Sequence, residues 1–141
     1  MPALAVYSLT ATGAIMGSGG MVDIEFIAQM IQLKFGCGMP SLRFVPTMDV
    51  LKIAPTPILS GEHASFLHDS YGLYRRIELM MRLSLEDRST LLPSGEKLEL
   101  LARVLGTSTG EELLSVVSGK MKTVRSYFLQ TARVLSSAER A

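Results

Sequence analysis

Apolar residues recur at intervals of three and four along most of this chain, which is the spacing of one face of an α-helix. Between Val22 and Phe35 there is no Gly or Pro, and Ile24, Ile27, Ile31 and Phe35 form one stripe, widened by Met30 and Leu33. Asp23 and Glu25 fall in the first turn of this predicted helix, where the helix dipole favours negative charge, and Lys34 falls in the last. Gly36 or Gly38 ends it. Met39 to Pro46 reads as irregular, and Thr47 to Ala54 as a short helix ended by Pro55 and Pro57. Ser60 is placed to cap the next helix, with Glu62 in its first turn. That helix runs to Leu83 or Leu85 through Ala64, Leu67, Tyr71, Tyr74, Ile77 and Met81. Gly72 interrupts it and marks a close approach by another helix, with Tyr71 and Tyr74 as core aromatics whose hydroxyls lie at the edge.

After the connector Leu91-Leu92-Pro93, Ser94 starts a helix through Leu98, Leu101, Ala102 and Leu105, stopped by Gly106. Thr109 and Glu112 have the spacing of a capping box. The last predicted helix, about Glu111 to Ser136, carries Leu113, Val117, Met121, Val124, Phe128, Thr131 and Leu135, a seam suited to antiparallel packing. No strand signal of comparable strength follows residue 21. The expectation is an all-α fold, an up-and-down antiparallel bundle of about five helices over residues 19–141. Residues 1–18 form an apolar, Ser/Thr/Gly-containing leader, poorly packed or the remnant of something upstream, without the positive region of a secretory signal.

Charge narrows the function classes. Fourteen Lys+Arg against 13 Asp+Glu give +1, too balanced for a dedicated nucleic-acid binder or an anionic-membrane binder. Cys37 is the single cysteine, so no intrachain disulfide forms, and the expected compartment is the cytoplasm. Cys37, between Gly36 and Gly38, reads as a small residue in a helix-ending turn, with neither His63 nor His68 near it in sequence to act as a base. Scattered His and Cys make no metal site, and the nine methionines read as core filler.

Three features remain as candidates. Gly19-Gly20 runs into a helix start whose amides can face an anion, although Gly17-Ser18-Gly19-Gly20 lacks the lysine and spacing of a P-loop. Asp23 and Glu25, two residues apart, do not face each other and make no metal pair. They read as dipole complements or as groups facing a neighbouring active site, and Gln29 and Gln32 continue the face of Glu25. Arg75, Glu78 and Arg82 share one face of the long helix, with Arg76 beside them. This is a solvated ion-paired face or a patch for an anion or an acidic partner. Lys120, Lys122 and Arg125 allow the same two readings.

The run Gly19-Gly20-Met21-Val22-Asp23-Ile24-Glu25-Phe26-Ile27-Ala28-Gln29, ending in Leu33-Lys34-Phe35-Gly36, resembles the glutamine synthetase adenylyltransferase/adenylyl-removing enzyme family. There a glycine pair followed by an acidic, hydrophobic, Glu-Phe segment leads from the nucleotidyltransferase domain into a helical domain. Leu73-Tyr74-Arg75-Arg76-Ile77-Glu78 fits the same domain, and Asp23 is more like the carboxyl-terminal, adenylylating half. The resemblance spans about residues 19–135.

It implies a bundle like the substrate-binding domains that accompany nucleotidyltransferases. It implies ATP and Mg²⁺ in the full-length enzyme, which moves AMP onto a tyrosine of glutamine synthetase, and PII as a further possible partner. The catalytic Asp-x-Asp pair belongs upstream of the glycines, and residues 1–18 do not resemble that catalytic domain. The chain alone is therefore expected to hold no catalytic residue, no metal and no cofactor. Gly19, Gly20, Asp23, Glu25 and Phe26, with Gln29 beside them, carry over as an interdomain segment flanking the active site. Arg75, Arg76 and Arg82 stand as the anion or partner patch. The alternative is a stand-alone helical interaction module.

Overall fold

The computed structural model describes residues 18–53, 59–84 and 92–140, and all six of its elements are helical. They are α1 (Met21–Phe35), a 3₁₀ turn (Pro40–Leu42), α2 (Thr47–Ile53), α3 (Gly61–Ser84), α4 (Glu96–Val104) and α5 (Gly110–Arg140). The expectations for residues 1–17, for Ala54, Pro55 and Pro57, for Leu85 and for Leu91 lie outside the described residues.

The apolar stripes meet in one core. Ile24, Ile27 and Ile31 of α1 pack with Val50 and Leu51 of α2, Leu67, Tyr74 and Ile77 of α3, Leu101 of α4 and Val117 and Val124 of α5. Each such aliphatic side chain contributes about 1.5–3 kcal/mol relative to leaving it in water. That burial, rather than helix propensity, holds short helices such as α2 and α4.

The local start signals act as the sequence indicates, with small shifts. Ser60 Oγ accepts the His63 amide at 3.1 Å at the head of α3. Thr109 Oγ1 accepts the Glu112 amide at 3.1 Å. The return bond differs: the Glu112 carboxylate takes the Ser108 amide at 3.0 Å, because Ser108, not Thr109, presents its amide to that carboxylate. Helix α4 begins at Glu96 rather than Ser94, because Gly95 at φ +65° turns the chain into it. Gly72 does face α2, but with room to spare: a Cβ there would lie in ordinary contact, 3.8 Å from Met48 Cε.

The antiparallel packing expected of the last helix holds against α3 but not against α1. His63 near the start of α3 stacks on Tyr127 just past the middle of α5, with ring centroids 3.9 Å apart, while Phe66, further along α3, lies under Lys120, earlier in α5. Helix α1 instead lies beside α5 and parallel to it. Gly19 abuts Met121, Asp23 meets Arg125, and Met30, Leu33 and Lys34 border a shallow hollow with Ala132, Leu135 and Ser136. No short loop joins α1 to α5, so chain connectivity does not impose opposite directions on them.

Candidate functional site

The glycine pair enters the bundle through a confined passage. Gly19 has φ +81°, a left-handed conformation that residues with a Cβ rarely adopt. A Cβ here would also overlap the carbonyl oxygen of Met121 in α5. Three elements hold this residue. Its amide donates to Asp23 Oδ2 at 2.7 Å. Its carbonyl accepts the Tyr74 hydroxyl of α3 at 3.0 Å. Its Cα rests against the α5 backbone.

Asp23 completes this node. Its side chain is only 9% exposed, and Arg125 Nη1 donates to both oxygens at 3.2 and 3.3 Å. The Arg125 guanidinium also lies over the Phe128 ring, 4.9 Å from its centroid. Burial, reinforced by the Asp23 charge, raises the Tyr74 hydroxyl well above its ordinary pKa, so Tyr74 is a neutral donor at physiological pH. Its hydroxyl lies within the core on Gly19 and not at the edge, a correction to the sequence reading.

The six residues expected to flank an active site are divided by the fold. Gly19, Gly20 and Asp23 are buried, Glu25 is half-buried, and Phe26 and Gln29 are exposed. Asp23 is therefore not an exposed acid free to face a neighbour: both its oxygens are taken up within this chain. Gln32 also departs from the outward strip. Its Nε2 donates to the carbonyls of Leu42 and Val45, at 2.8 and 3.2 Å, and pins the loop before α2. What remains on the outer face of α1 is Phe26, Gln29 and Leu33, spaced three and four apart.

The arginines of α3 do come together. Arg75, Arg76, Glu78, Leu79 and Arg82 line one shallow surface cavity of about 220 Å³. Arg82 reaches Glu78 at 3.5 Å, and Arg75 lies 6.0 Å from the Tyr71 ring centroid. The trio on α5 is dispersed: Lys120 sits over Phe66 at 4.9 Å, Lys122 is exposed and Arg125 is committed to Asp23. Cys37 is exposed in the turn after α1, where its carbonyl accepts Arg43 Nη2 at 2.7 Å.

Among the described residues no three of His, Cys, Asp or Glu converge as a metal-holding group. Nor does the acidic segment offer a ligand pair, since both Asp23 oxygens are engaged by Gly19 and Arg125, and Glu25, two residues on, does not share its face of α1. No described helix is long and apolar enough to cross a membrane.

Sequence reasoning missed Arg125 and Tyr74 as partners of the glycine–Asp23 segment. They lie 102 residues from Asp23 and 55 residues from Gly19, and no periodicity reports such pairings. The remaining local signal was a glycine pair followed by an acid at the third helical position.

Comparison with known proteins adds two likenesses. The GlnD PII-uridylyltransferase family matches residues 16–132. The chain is also similar to the bifunctional glutamine synthetase adenylyltransferase/adenylyl-removing enzyme of Cutibacterium acnes (strain DSM 16379 / KPA171202). The two are 35% identical over 111 residues, 77% of this chain and 11% of that protein. The chain thus spans a small fraction of the length of the relative it matches. No solved structure matches.

Proposed function

The chain belongs to the GlnD PII-uridylyltransferase family as a nucleotidyltransferase-related, all-helical domain, and on that premise we propose that it serves a catalytic domain which it does not itself contain. In this reading it is the substrate-binding or accessory domain of a glutamine synthetase adenylyltransferase-like protein. The observation that carries the reading is the passage at Gly19. Its amide, its carbonyl and its Cα are all engaged, by Asp23, Tyr74 and Met121 respectively. A catalytic domain joined through this segment enters at a fixed position and direction, beside the outer strip of Phe26, Gln29 and Leu33. Accurate placement of a protein substrate against a nucleotide site needs such a rigid junction.

The division of labour follows from the side chains. Carboxylates that hold divalent metal on a triphosphate belong to the catalytic domain, and the metal there steadies the charge that develops on the transferring phosphoryl group. In this chain Asp23 neutralises Arg125 and orients Gly19, and Tyr74 holds the Gly19 carbonyl. These are positioning roles. Magnesium and ATP are assigned to the complete enzyme, glutamine synthetase is the proposed substrate, and PII is a proposed regulator.

The test is complementation. A version of the relative's enzyme lacking its matching helical segment is mixed with this chain, ATP, Mg²⁺ and glutamine synthetase, and AMP incorporation is followed. The proposal expects transfer only in the presence of both parts, and loss of transfer with Phe26→Asp at an unchanged melting temperature. AMP transfer by this chain alone would refute it. Failure of the mixture, together with an equally tight complex between this chain and glutamine synthetase, would favour the stand-alone interaction module.

A further inference from the structure

The outer face of the second half of α3 carries an unusual mixture. Arg75, Arg76 and Arg82 supply three guanidinium groups to the cavity described above, against the single carboxylate of Glu78. Glu78 is spent on Arg82 at 3.5 Å, a half-exposed i,i+4 pair that holds two side chains along the helix and contributes little to stability. Arg75 and Arg76 are exposed and enter no ion pair among the described residues. Arg75 lies near the face of Tyr71, itself buried, which limits the orientations of its guanidinium.

Two large aliphatic side chains share this surface. Leu79 is 49% exposed and lines the same cavity, and Leu83, one turn further on, is 68% exposed. Neither contributes to the core, whose positions on this helix are Leu67, Tyr71, Tyr74, Ile77 and Met81.

We infer that this face of α3 is a docking surface for an acidic, leucine-bearing helix of a partner protein. Three arguments select that occupant. First, the lining carries a net excess of two positive charges, so the complementary surface is negative. Secondly, Leu79 lies among the arginines and Leu83 one turn beyond it, and a partner that brings apolar area would bury both. A free phosphate or a nucleotide phosphate satisfies guanidinium groups but covers no leucine. Thirdly, the whole chain is nearly neutral at +1, so the local excess is confined and a polyanion such as nucleic acid finds no extended basic track. Arginine suits the role because its planar fork binds carboxylates bidentately while its stem packs on apolar neighbours. A helical partner with acids at i and i+4 and leucines between them presents both groups along one stripe. The inference does not depend on which catalytic domain the chain serves.

The test uses the full chain and a labelled synthetic peptide of alternating Glu-Glu and Leu-Leu pairs, followed by fluorescence anisotropy. The docking surface predicts saturable binding that weakens with added salt. It predicts about tenfold or greater weakening in the double variant Arg75→Glu/Arg76→Glu, and a smaller loss in Leu79→Ala. The double variant Lys97→Glu/Arg103→Glu, which makes the same charge change on exposed positions of α4, keeps the original affinity. Circular dichroism melts of all variants confirm an unaltered fold. Equal loss in the α4 control would mean attraction to net charge alone and would overturn the inference. So would an unchanged affinity in the α3 double variant. Complete displacement of the peptide by millimolar inorganic phosphate would assign the arginines to an anion site instead. A concentration-dependent dimer of the chain abolished by Arg76→Glu would assign the face to a second copy, and either result overturns the inference.

Discussion

The carboxylate of Asp23 and the guanidinium of Arg125, 102 residues apart in the chain, meet at 3.2 Å and tie the start of the first helix to the middle of the last. Asp23 is nearly buried, whereas Arg125 remains 42% exposed, so the two partners lose water unequally. Removing Arg125 leaves a buried carboxylate with the Gly19 amide as its one remaining hydrogen-bond donor. Arg125→Leu is expected to lower stability by about 1–2 kcal/mol, less than for a fully buried pair because of that exposure. Asp23→Ala, which also orphans the Gly19 amide, is expected to lower it by about 2–3 kcal/mol. Urea denaturation of both single variants and of the double variant reads the coupling. Additivity of the two losses would show that the contact is energetically silent.

Tyr74 ties stability to alkaline pH. Its hydroxyl has a raised pKa in the fold and the ordinary value of 10.0 when the chain is open. The folded state therefore retains a proton that the unfolded state releases. Its contribution is complete below the unfolded value and is lost as pH climbs above it, at up to about 1.4 kcal/mol per pH unit. Tyr74→Phe is expected to cost about 1 kcal/mol at neutral pH, through the unsatisfied Gly19 carbonyl. The same variant should show a shallower alkaline loss than the parent. Denaturant midpoints measured from pH 8 to beyond pH 10 make the comparison, and parallel curves would contradict it.

Glycine-to-alanine substitutions should differ in sign along the chain. Gly19→Ala combines a left-handed φ with overlap on the α5 backbone and is expected to destabilise by more than about 2 kcal/mol. Gly110→Ala brings its Cβ to 2.7 Å from Leu98 Cγ and is expected to destabilise as well. Gly119 lies inside α5 with open space where its Cβ would be, so Gly119→Ala is expected to stabilise by about 0.5–1 kcal/mol. Thermal melts of the three variants would expose the error if Gly119→Ala lowered the melting temperature.

Phe44 is the one described non-glycine residue at positive φ, at 59°, and its side chain is fully exposed. The flanking backbone is held from both sides by Gln32, which takes the Leu42 and Val45 carbonyls. Arg43 adds bonds to the carbonyls of Gly36 and Cys37. Phe44→Asn keeps this turn and relieves the conformational cost, since Asn tolerates the left-handed region. A gain of about 0.5–1 kcal/mol in denaturant melts is expected. A loss would show that the phenyl ring stabilises the fold.

The resemblance carried by Gly19 to Gln29 agrees with the family match over residues 16–132, and the five helices lie close to the spans that periodicity predicts. These features are legible because they are local. A stripe at Ile24, Ile27 and Ile31, a cap at Ser60 or Thr109, and a glycine before a helix each depend on residues within a few positions. The candidate segment was legible as residues but not as geometry. Asp23 and Glu25 look equivalent in sequence, yet one is buried on Arg125 and the other stays half-exposed. Gln29 and Gln32 likewise look alike, and only Gln32 turns inward to pin a loop.

The amino-acid order by itself therefore determined the helices, their caps, the apolar face each must bury and the family. Tertiary structure alone decided that α1 runs parallel to α5, that Tyr74 and Arg125 close on Gly19 and Asp23, and that Leu79 and Leu83 stay outside the core. The physical reason is range. Helix periodicity and capping are set by interactions within about a turn, whereas the partner of a buried charge is chosen by how whole helices pack.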